Sequence, residues 1–187
     1  MCGIVAAIAE RNVVPLLIDG LKRLEYRGYD SAGLAFVDDA DSLIRERSVG
    51  KVAALAGLLG EGHAGHIGLA HTRWATHGRP SQANAHPHLS DERIAVVHNG
   101  IIENHEALKR ELEEAGYRFA SETDSEVIAH LIHRELDRGA APDRAIRAAV
   151  DRLVGSFALG VLDREHPDRL WGVRHGSPLV IGVGVGE

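Results

Sequence analysis

The chain opens with Met1-Cys2-Gly3-Ile4-Val5-Ala6-Ala7-Ile8-Ala9, in which one thiol directly precedes a short apolar run. An uninterrupted apolar run of this length, with β-branched residues in it, predicts a buried strand. A strand that begins at residue 3 holds residue 2 at the edge of a core, so the thiol is not left on a frayed terminus. The position of Cys2 therefore makes it the first candidate for chemistry.

The composition is that of a soluble globular protein, with 187 residues of which 44% are hydrophobic and 26% charged. A chain of this length predicts one domain, over residues 1–187. Cys2 is the only cysteine, so no intramolecular disulfide can form, which fits a reducing, cytoplasmic compartment. A net charge of −6 without a basic block argues against nucleic-acid binding, and no apolar run is long enough to span a membrane.

Strand-like and helix-like segments occur in groups, which indicates an α+β fold rather than alternating β/α units. Strand-like runs cover residues 3–9, 32–37, a segment ending at 49, 67–71, 94–97, 156–162, 170–173 and 179–183. Helices are predicted over 13–24, 52–59, 104–116, 123–136 and 142–155, the fourth beginning with a capping box of Thr123 and Glu126. Residues 73–90 have almost no periodicity, and a loop of that length in a compact domain is usually functional or mobile.

Cys2 can also carry its own base. Removal of Met1, which the small side chain of Cys2 favours, makes Cys2 the N-terminal residue. Its α-amine then has a pKa of about 7.7–8.0 and is partly unprotonated near neutral pH. The amine can take the proton from the thiol of the same residue and so generate the nucleophilic thiolate. A cysteine placed there by chance is the alternative that position alone leaves open.

Four further positions have the residue types that a reacting carbonyl and an amino acid require. Asn99 and Gly100 follow the strand at 94–97, where a side-chain amide and a backbone N–H can stabilise one oxyanion. Asn-Gly is equally the commonest tight-turn dipeptide. Arg73 suits a carboxylate and Asp124 suits an ammonium group, so together they match the charges of an α-amino acid. The spacing alone does not establish that these two side chains face each other.

The chain contains 12 histidines, but their spacing fits no zinc-binding pattern. Neither a second cysteine nor an acidic cluster accompanies the pair His86 and His88 or the pair His71 and His77. The sequence therefore predicts no metal ion and no cofactor, with a histidine-based metal binder as the alternative.

Six ordered segments resemble the glutaminase domains of the glutamine–fructose-6-phosphate aminotransferases, which are class II glutamine amidotransferases. The segments are residues 1–5 (MCGIV), 24–33 (LEYRGYDSAG), 71–78 (HTRWATHG), 84–88 (NAHPH), 98–104 (HNGIIEN) and 121–124 (SETD). The resemblance extends from residue 2 to the end of the chain and includes residues 176–180 (GSPLV).

The resemblance implies an N-terminal nucleophile hydrolase whose two antiparallel sheets lie between helix layers, a four-layer αββα sandwich. Cys2 is then the nucleophile and its α-amine the base, while Asn99 and Gly100 form the oxyanion hole. The implied reaction passes through a γ-glutamyl thioester and yields glutamate and ammonia.

The same resemblance implies how L-glutamine is held. Arg73 is expected to bind its α-carboxylate and Asp124 its α-ammonium group. The other implied pocket residues are Trp74, Thr76 and His77. They belong to a segment, residues 73–80, that is expected to close over the substrate with Trp74 as its lid residue.

Members of the family with this pattern carry a second half that the 187 residues do not contain. It consists of two sugar-phosphate isomerase domains that bind fructose 6-phosphate and receive the ammonia; a homodimer is also expected. The glutaminase domain itself is expected to be truncated at its C-terminal end, at Gly186-Glu187. Two alternatives stay open: a glutaminase of the amidophosphoribosyltransferase type, and a catalytically silent remnant that binds glutamine or a partner chain.

Overall fold

The computed structural model describes residues 2–60, 62–74 and 78–184, and within them eight strands form two four-stranded antiparallel sheets. The strands are β1 (Gly3–Ile8), β2 (Ser31–Asp38), β3 (Leu43–Val49), β4 (Gly65–Arg73), β5 (His88–Ser90), β6 (Ile94–Ile102), β7 (Gly155–Asp163) and β8 (Leu170–His175). The helices are α1 (Val14–Leu24), α2 (Val52–Leu59), α3 (His105–Glu114), α4 (Glu126–Asp137) and α5 (Pro142–Val150), with a short 3₁₀ helix at Glu25–Arg27. No helix in these ranges is both long and apolar enough to cross a membrane.

The first sheet has the order β1-β4-β2-β3, so β4 pairs with both β1 and β2. Gly3 of β1 lies opposite Thr72 of β4, and Arg73 lies opposite Ser31 of β2. Antiparallel pairing thus brings the start of β1 beside the end of β4. Cys2, one residue before β1, is placed next to the residues that follow β4.

The second sheet has the order β5-β6-β7-β8. Its strand β6 pairs with β7 from Ile94 to Ile102, including Asn99 opposite Ala158 and Gly100 opposite Phe157. Residues 98–100 therefore belong to the interior of a long strand.

Three apolar clusters hold the layers together. Helices α1 and α2 cover the outer face of the first sheet through residues such as Leu17, Leu21, Phe36 and Leu55. Helices α3, α4 and α5 cover the second sheet through residues such as Leu112, Ile128, Ile146 and Phe157. The inner faces meet through a third cluster that includes Ala35, Leu69, Val97 and Leu162. The predicted α+β fold and its four-layer αββα sandwich are confirmed.

The tight-turn alternative for Asn99 and Gly100 is wrong, because β6 continues beyond both residues. Gly100 has a φ of 142°, and a Cβ at this position would lie 2.1 Å from the backbone oxygen of Ser156 on β7. Glycine is thus required by the close approach of a neighbouring strand, which the dipeptide alone does not reveal.

Three other predictions of local structure are wrong. The segment 73–90, predicted as a loop, ends in the short strand β5. Residues 179–183, predicted as a strand, have no regular structure. The capping box is also absent, because the Glu126 carboxylate accepts the N–H groups of Ala120 and Ser121 rather than that of Thr123. Strand β5 and the Glu126 contacts depend on partners outside the local window, whereas residues 180–183 are largely exposed and pair with no strand of the described residues.

We expect Leu69→Ala to lower the free energy of unfolding by ~2–5 kcal/mol, because it empties a fully buried position between the two sheets. Urea denaturation followed by circular dichroism measures the change. Leu58→Ala is the matched control, since Leu58 on α2 is 53% exposed, and a change of less than ~0.5 kcal/mol is expected there. Equal effects of the two substitutions would contradict the assignment of Leu69 to the inter-sheet core.

Candidate active site

The thiol of Cys2 is held by the backbone of Trp74. The Trp74 N–H donates to Sγ at 3.1 Å, and the Trp74 carbonyl lies 3.5 Å from Sγ as an acceptor for the S–H. Both contacts follow from the pairing of β1 with β4. The sulfur is therefore held at the end of the first sheet by backbone groups whose positions do not depend on a side-chain rotamer.

Burial raises the pKa of the Cys2 thiol above its ordinary value. The Trp74 N–H lowers this pKa, the negative charge of Asp30 raises it, and the positive charge of Arg73 lowers it, each with a smaller effect than burial. The thiol is consequently protonated at neutral pH. A nucleophile at this position needs a base nearby to remove the proton.

Asn99 approaches Cys2 from the second sheet. Its Nδ2 donates to the backbone oxygen of Cys2 at 3.3 Å, and its Oδ1 lies 2.9 Å from Nε2 of His71. His71 is on β4 of the first sheet, so the contact joins the two sheets at the Cys2 end. The amide nitrogen of Asn99 is therefore on the side of Cys2.

Arg73, the last residue of β4, is only 3% exposed. Its guanidinium donates to the backbone oxygen of Gly78 at 3.0 Å and lies 3.7 Å from the Asp30 carboxylate. The Asp30 N–H in turn donates to the backbone oxygen of Arg73 at 2.7 Å. Asp30 thus balances the buried cation and ties the loop before β2 to the end of β4.

Asp124 is also 3% exposed and lies just before α4. Its Oδ2 accepts the N–H of Ile102, at the end of β6, at 2.8 Å, and its Oδ1 accepts the Ser125 hydroxyl at 3.3 Å. The Ser125 hydroxyl also lies 2.7 Å from Nδ1 of His98. These contacts fix the carboxylate while leaving it further acceptor capacity for an ammonium group.

Six of the eight residues predicted for the site line one cavity of about 800 Å³. They are Cys2, Arg73, Trp74, Asn99, Gly100 and Asp124. The other two, Thr76 and His77, lie outside the described residues and stay predictions. One cavity thus contains a thiol, a side-chain amide, a buried cation and a buried anion.

Trp74 covers part of this cavity and is 54% exposed. Its ring lies on Gly28, where a Cβ would be 2.3 Å from Cε3 of the indole. Gly28 has a φ of 102°, so both its conformation and the stacked ring require glycine. The loop before β2 therefore provides a flat support for the tryptophan.

Several residues of the site were missed by the sequence reasoning, notably Asp30, His71, His98 and Ser125. All belong to the segments that carry the family resemblance or immediately follow one, and that was the available signal. Their contacts cross from one sheet or loop to another, so spacing could not reveal them. Among the residues that the structure describes, no group of three or more His, Cys, Asp or Glu side chains is arranged to hold a metal ion.

A half-buried thiol beside an amide donor, in a pocket with a buried cation and a buried anion, defines a site suited to acyl transfer from an amino acid. A family model described as a glutamine amidotransferase domain matches residues 71–184. The chain belongs to this family of glutamine amidotransferase domains.

The resemblance found in the motifs is confirmed by similarity over the whole chain. The chain is 57% identical over 188 residues to the glutamine–fructose-6-phosphate aminotransferase (isomerizing) of Pseudomonas aeruginosa. It is 58% identical over 189 residues to that of Shigella flexneri and 57% identical over 189 residues to that of Escherichia coli K12. Each alignment covers 100% of this chain but 31% of the relative, so the chain spans about a third of their length.

Solved structures of the same class share the fold. The glutamine phosphoribosylpyrophosphate amidotransferase of B. subtilis superposes with a TM-score of 0.71 at 26% identity, over 87% of this chain and 35% of that chain. A glutamine aminotransferase class-II domain protein from Silicibacter pomeroyi gives a TM-score of 0.58 at 18% identity, over 96% of this chain and 79% of that chain. The second likeness concerns the fold alone.

We expect the alkylation of Cys2 by iodoacetamide to have a higher midpoint pH in the folded chain than in the same chain unfolded in urea. The reason is that burial raises the thiol pKa, and only the thiolate reacts. The alkylation rate is followed by mass spectrometry from pH 6 to 10. It reports on Cys2 because the chain has one cysteine. The midpoint, rather than the absolute rate, separates this effect from steric shielding. A midpoint at or below that of the unfolded chain would contradict the prediction.

Proposed function

We propose that this chain hydrolyses the side-chain amide of L-glutamine to glutamate and ammonia, through a γ-glutamyl thioester on Cys2. The observation that carries the proposal is the meeting of Cys2 and Asn99. The thiol before β1 and the amide on β6 come from different sheets, yet Asn99 Nδ2 donates to the Cys2 backbone at 3.3 Å in a cavity that both line. Membership in the glutamine amidotransferase family supports the same substrate.

The two buried charges account for recognition of the amino-acid end of glutamine. The guanidinium of Arg73 receives the α-carboxylate as a bidentate partner, and the carboxylate of Asp124 receives the α-ammonium group. Trp74 shields the cavity, and Thr76 and His77 are proposed to complete the pocket. A substrate held at its α-carbon in this way places its side-chain amide toward Cys2.

In the first half of the reaction the α-amine of Cys2 takes the proton of its own thiol, which requires that Met1 has been removed. The sulfur attacks the amide carbon, and the resulting oxyanion accepts hydrogen bonds from Asn99 Nδ2 and the Gly100 N–H. The protonated amine then gives its proton to the leaving nitrogen. Ammonia departs as the C–N bond breaks, and the γ-glutamyl thioester remains.

In the second half a water molecule attacks the thioester carbon while the same amine accepts a proton from it. The Asn99 and Gly100 donors stabilise the second oxyanion in the same position. The C–S bond breaks, the amine returns its proton to the sulfur, and glutamate leaves. The raised pKa of the Cys2 thiol explains why a base within reach of the sulfur is needed.

The fate of the ammonia is proposed from the relatives, whose names specify fructose 6-phosphate as the acceptor. We propose that sugar-phosphate isomerase domains receive it to form glucosamine 6-phosphate. The chain spans 31% of each of these relatives and thus matches their glutaminase portion. Action in the cytoplasm and assembly as a homodimer are proposed with it.

The amidophosphoribosyltransferase type is the second candidate, because a B. subtilis amidotransferase of that type superposes with a TM-score of 0.71. Its identity to this chain, 26%, is far below the 57% of the Pseudomonas aeruginosa aminotransferase. The ammonia acceptor named for the aminotransferases is therefore preferred. A remnant that only binds glutamine or a partner chain is the remaining alternative. Release of glutamate from glutamine would distinguish either type of glutaminase from such a remnant.

We expect Cys2→Ala to abolish glutamate release from glutamine, because the substitution removes the only thiol. The assay is glutamate production by the chain whose intact mass shows that it begins at Cys2. Isothermal titration calorimetry should still detect glutamine binding to the variant, since Arg73 and Asp124 are unchanged. Activity of Cys2→Ala equal to that of the parent chain would overturn the proposed mechanism.

We expect Asp124→Asn to raise the KM for glutamine by ~10–100-fold, because it removes a charge-assisted contact to the α-ammonium group. The amide oxygen can still accept the Ile102 N–H, so the backbone stays in place. The deaminated analogue, glutaric acid monoamide, provides a sharper test. The preference for glutamine over this analogue, measured as the ratio of their kcat/KM values, should be smaller in the variant than in the parent chain. Asp168→Asn is the control, because the Asp168 side chain is 70% exposed. It should change neither the KM for glutamine nor the preference for glutamine over the analogue. Unaltered discrimination in Asp124→Asn would exclude the assigned role.

A further inference from the structure

His71, on strand β4 of the first sheet, contacts the side chain of Asn99. Its ring is 1% exposed and makes two contacts through Nε2. One is to the backbone oxygen of His98 at 3.0 Å, and the other is to Oδ1 of Asn99 at 2.9 Å. His98 and Asn99 are consecutive in β6, so one ring nitrogen is shared between a backbone and a side-chain oxygen.

The backbone oxygen of His98 determines which ring nitrogen carries the proton. A carbonyl oxygen only accepts hydrogen bonds, so Nε2 must carry the hydrogen. With that hydrogen in place, the atom of Asn99 that faces Nε2 must also be an acceptor, which is Oδ1 rather than Nδ2. The orientation of the Asn99 amide is thereby determined, and Nδ2 is turned toward Cys2.

The ring stays neutral at the pH of the proposed reaction. Burial lowers the pKa of His71 to about 3, with the neighbouring His98 acting in the same direction. The ring lies against that of His86, with centroids 4.1 Å apart. In the part of the chain that the structure describes, His71 Nδ1 has no hydrogen-bond partner. A buried N–H without an acceptor is costly, so this nitrogen is better assigned as the unprotonated one.

We propose that His71 is a positioning residue for amide hydrolysis, whose Nε2–H holds the Asn99 amide with Nδ2 directed into the oxyanion hole. This inference rests on the proposed function, since it assigns Asn99 the role of oxyanion donor. An amide can turn by 180° with little change in shape. Without a donor at His71, the turned amide would present Oδ1 to the developing oxyanion and destabilise it.

A pair of substitutions tests the donor itself. His71→Leu removes the N–H, and we expect kcat for glutamine to fall by ~10–100-fold, at most the loss of one oxyanion donor. The KM should stay within about threefold, because Asp30, Gly78 and Ile102 help to hold the Arg73 and Asp124 side chains, which are proposed to bind the α-carboxylate and the α-ammonium group. His71→Gln can place an amide N–H where Nε2 lies, and it should recover most of the lost kcat. If His71 had a purely structural role, kcat would not fall while KM stayed nearly constant, and His71→Gln would not recover the lost kcat.

A double-mutant cycle tests whether His71 acts through Asn99. In the Asn99→Ala background, His71→Leu should lower kcat by less than about twofold, because no amide remains to be oriented. The iodoacetamide midpoint of Cys2 should be the same in all variants. The proposal is overturned if the decreases in kcat caused by His71→Leu and Asn99→Ala multiply in full in the double variant. It is also overturned if His71→Gln has no higher kcat than His71→Leu, or if His71→Leu keeps the kcat of the parent chain.

An NMR measurement distinguishes failure of this inference from failure of the proposed function. In the ¹⁵N-labelled parent chain, we expect His71 to be the neutral Nε2–H tautomer from pH 8 down to about pH 5, well above its pKa of about 3. The His71→Leu spectrum identifies the signal. An Nδ1–H tautomer would overturn the inference whether or not the chain hydrolyses glutamine. Absence of glutaminase activity in the processed parent chain, with the Nε2–H tautomer present, would refute the proposed function and with it the positioning role.

Discussion

The antiparallel pairing of β1 with β4 is the constraint on which the site depends. Gly3 lies opposite Thr72, so the residue before β1 and the residues after β4 are neighbours whatever the rest of the chain does. This single register places three groups next to one another: Cys2, the Trp74 N–H that holds its sulfur, and the buried guanidinium of Arg73. A shift by one residue would turn alternate side chains to the opposite face and separate the three groups.

The second requirement is that the other sheet packs on the first with Asn99 at the same end. Apolar residues such as Leu69 and Val97 hold the inner faces together but have no directional preference. The hydrogen bonds from His71 to His98 and Asn99 are directional, and they occur where the layer of apolar contacts reaches the cavity. The apolar layer therefore brings the sheets together, and the polar contact aligns their ends.

Much of this arrangement could be predicted from local sequence, because strands and helices with clear periodicity depend on neighbours a few residues away. The importance of Cys2 followed from its position before an apolar strand, and the motifs around Arg73, Asn99 and Asp124 indicated the family. The interior position of Asn99 in β6 could not be predicted, since the strand is extended by pairing with β7. Contacts such as that of His71 with Asn99 join positions 28 residues apart, and no local pattern encodes them.

The two buried charges show why such a pocket can exist before a substrate arrives. A buried guanidinium or carboxylate is costly unless hydrogen bonds and opposite charge compensate it. Asp30 and the Gly78 carbonyl compensate Arg73, while the Ile102 N–H compensates Asp124. Both charges are therefore held in place by fixed neighbours. In the proposed function, one α-amino acid brings a carboxylate to Arg73 and an ammonium group to Asp124 from a single carbon atom, so a ligand that lacks either group forms only one of the two ion pairs.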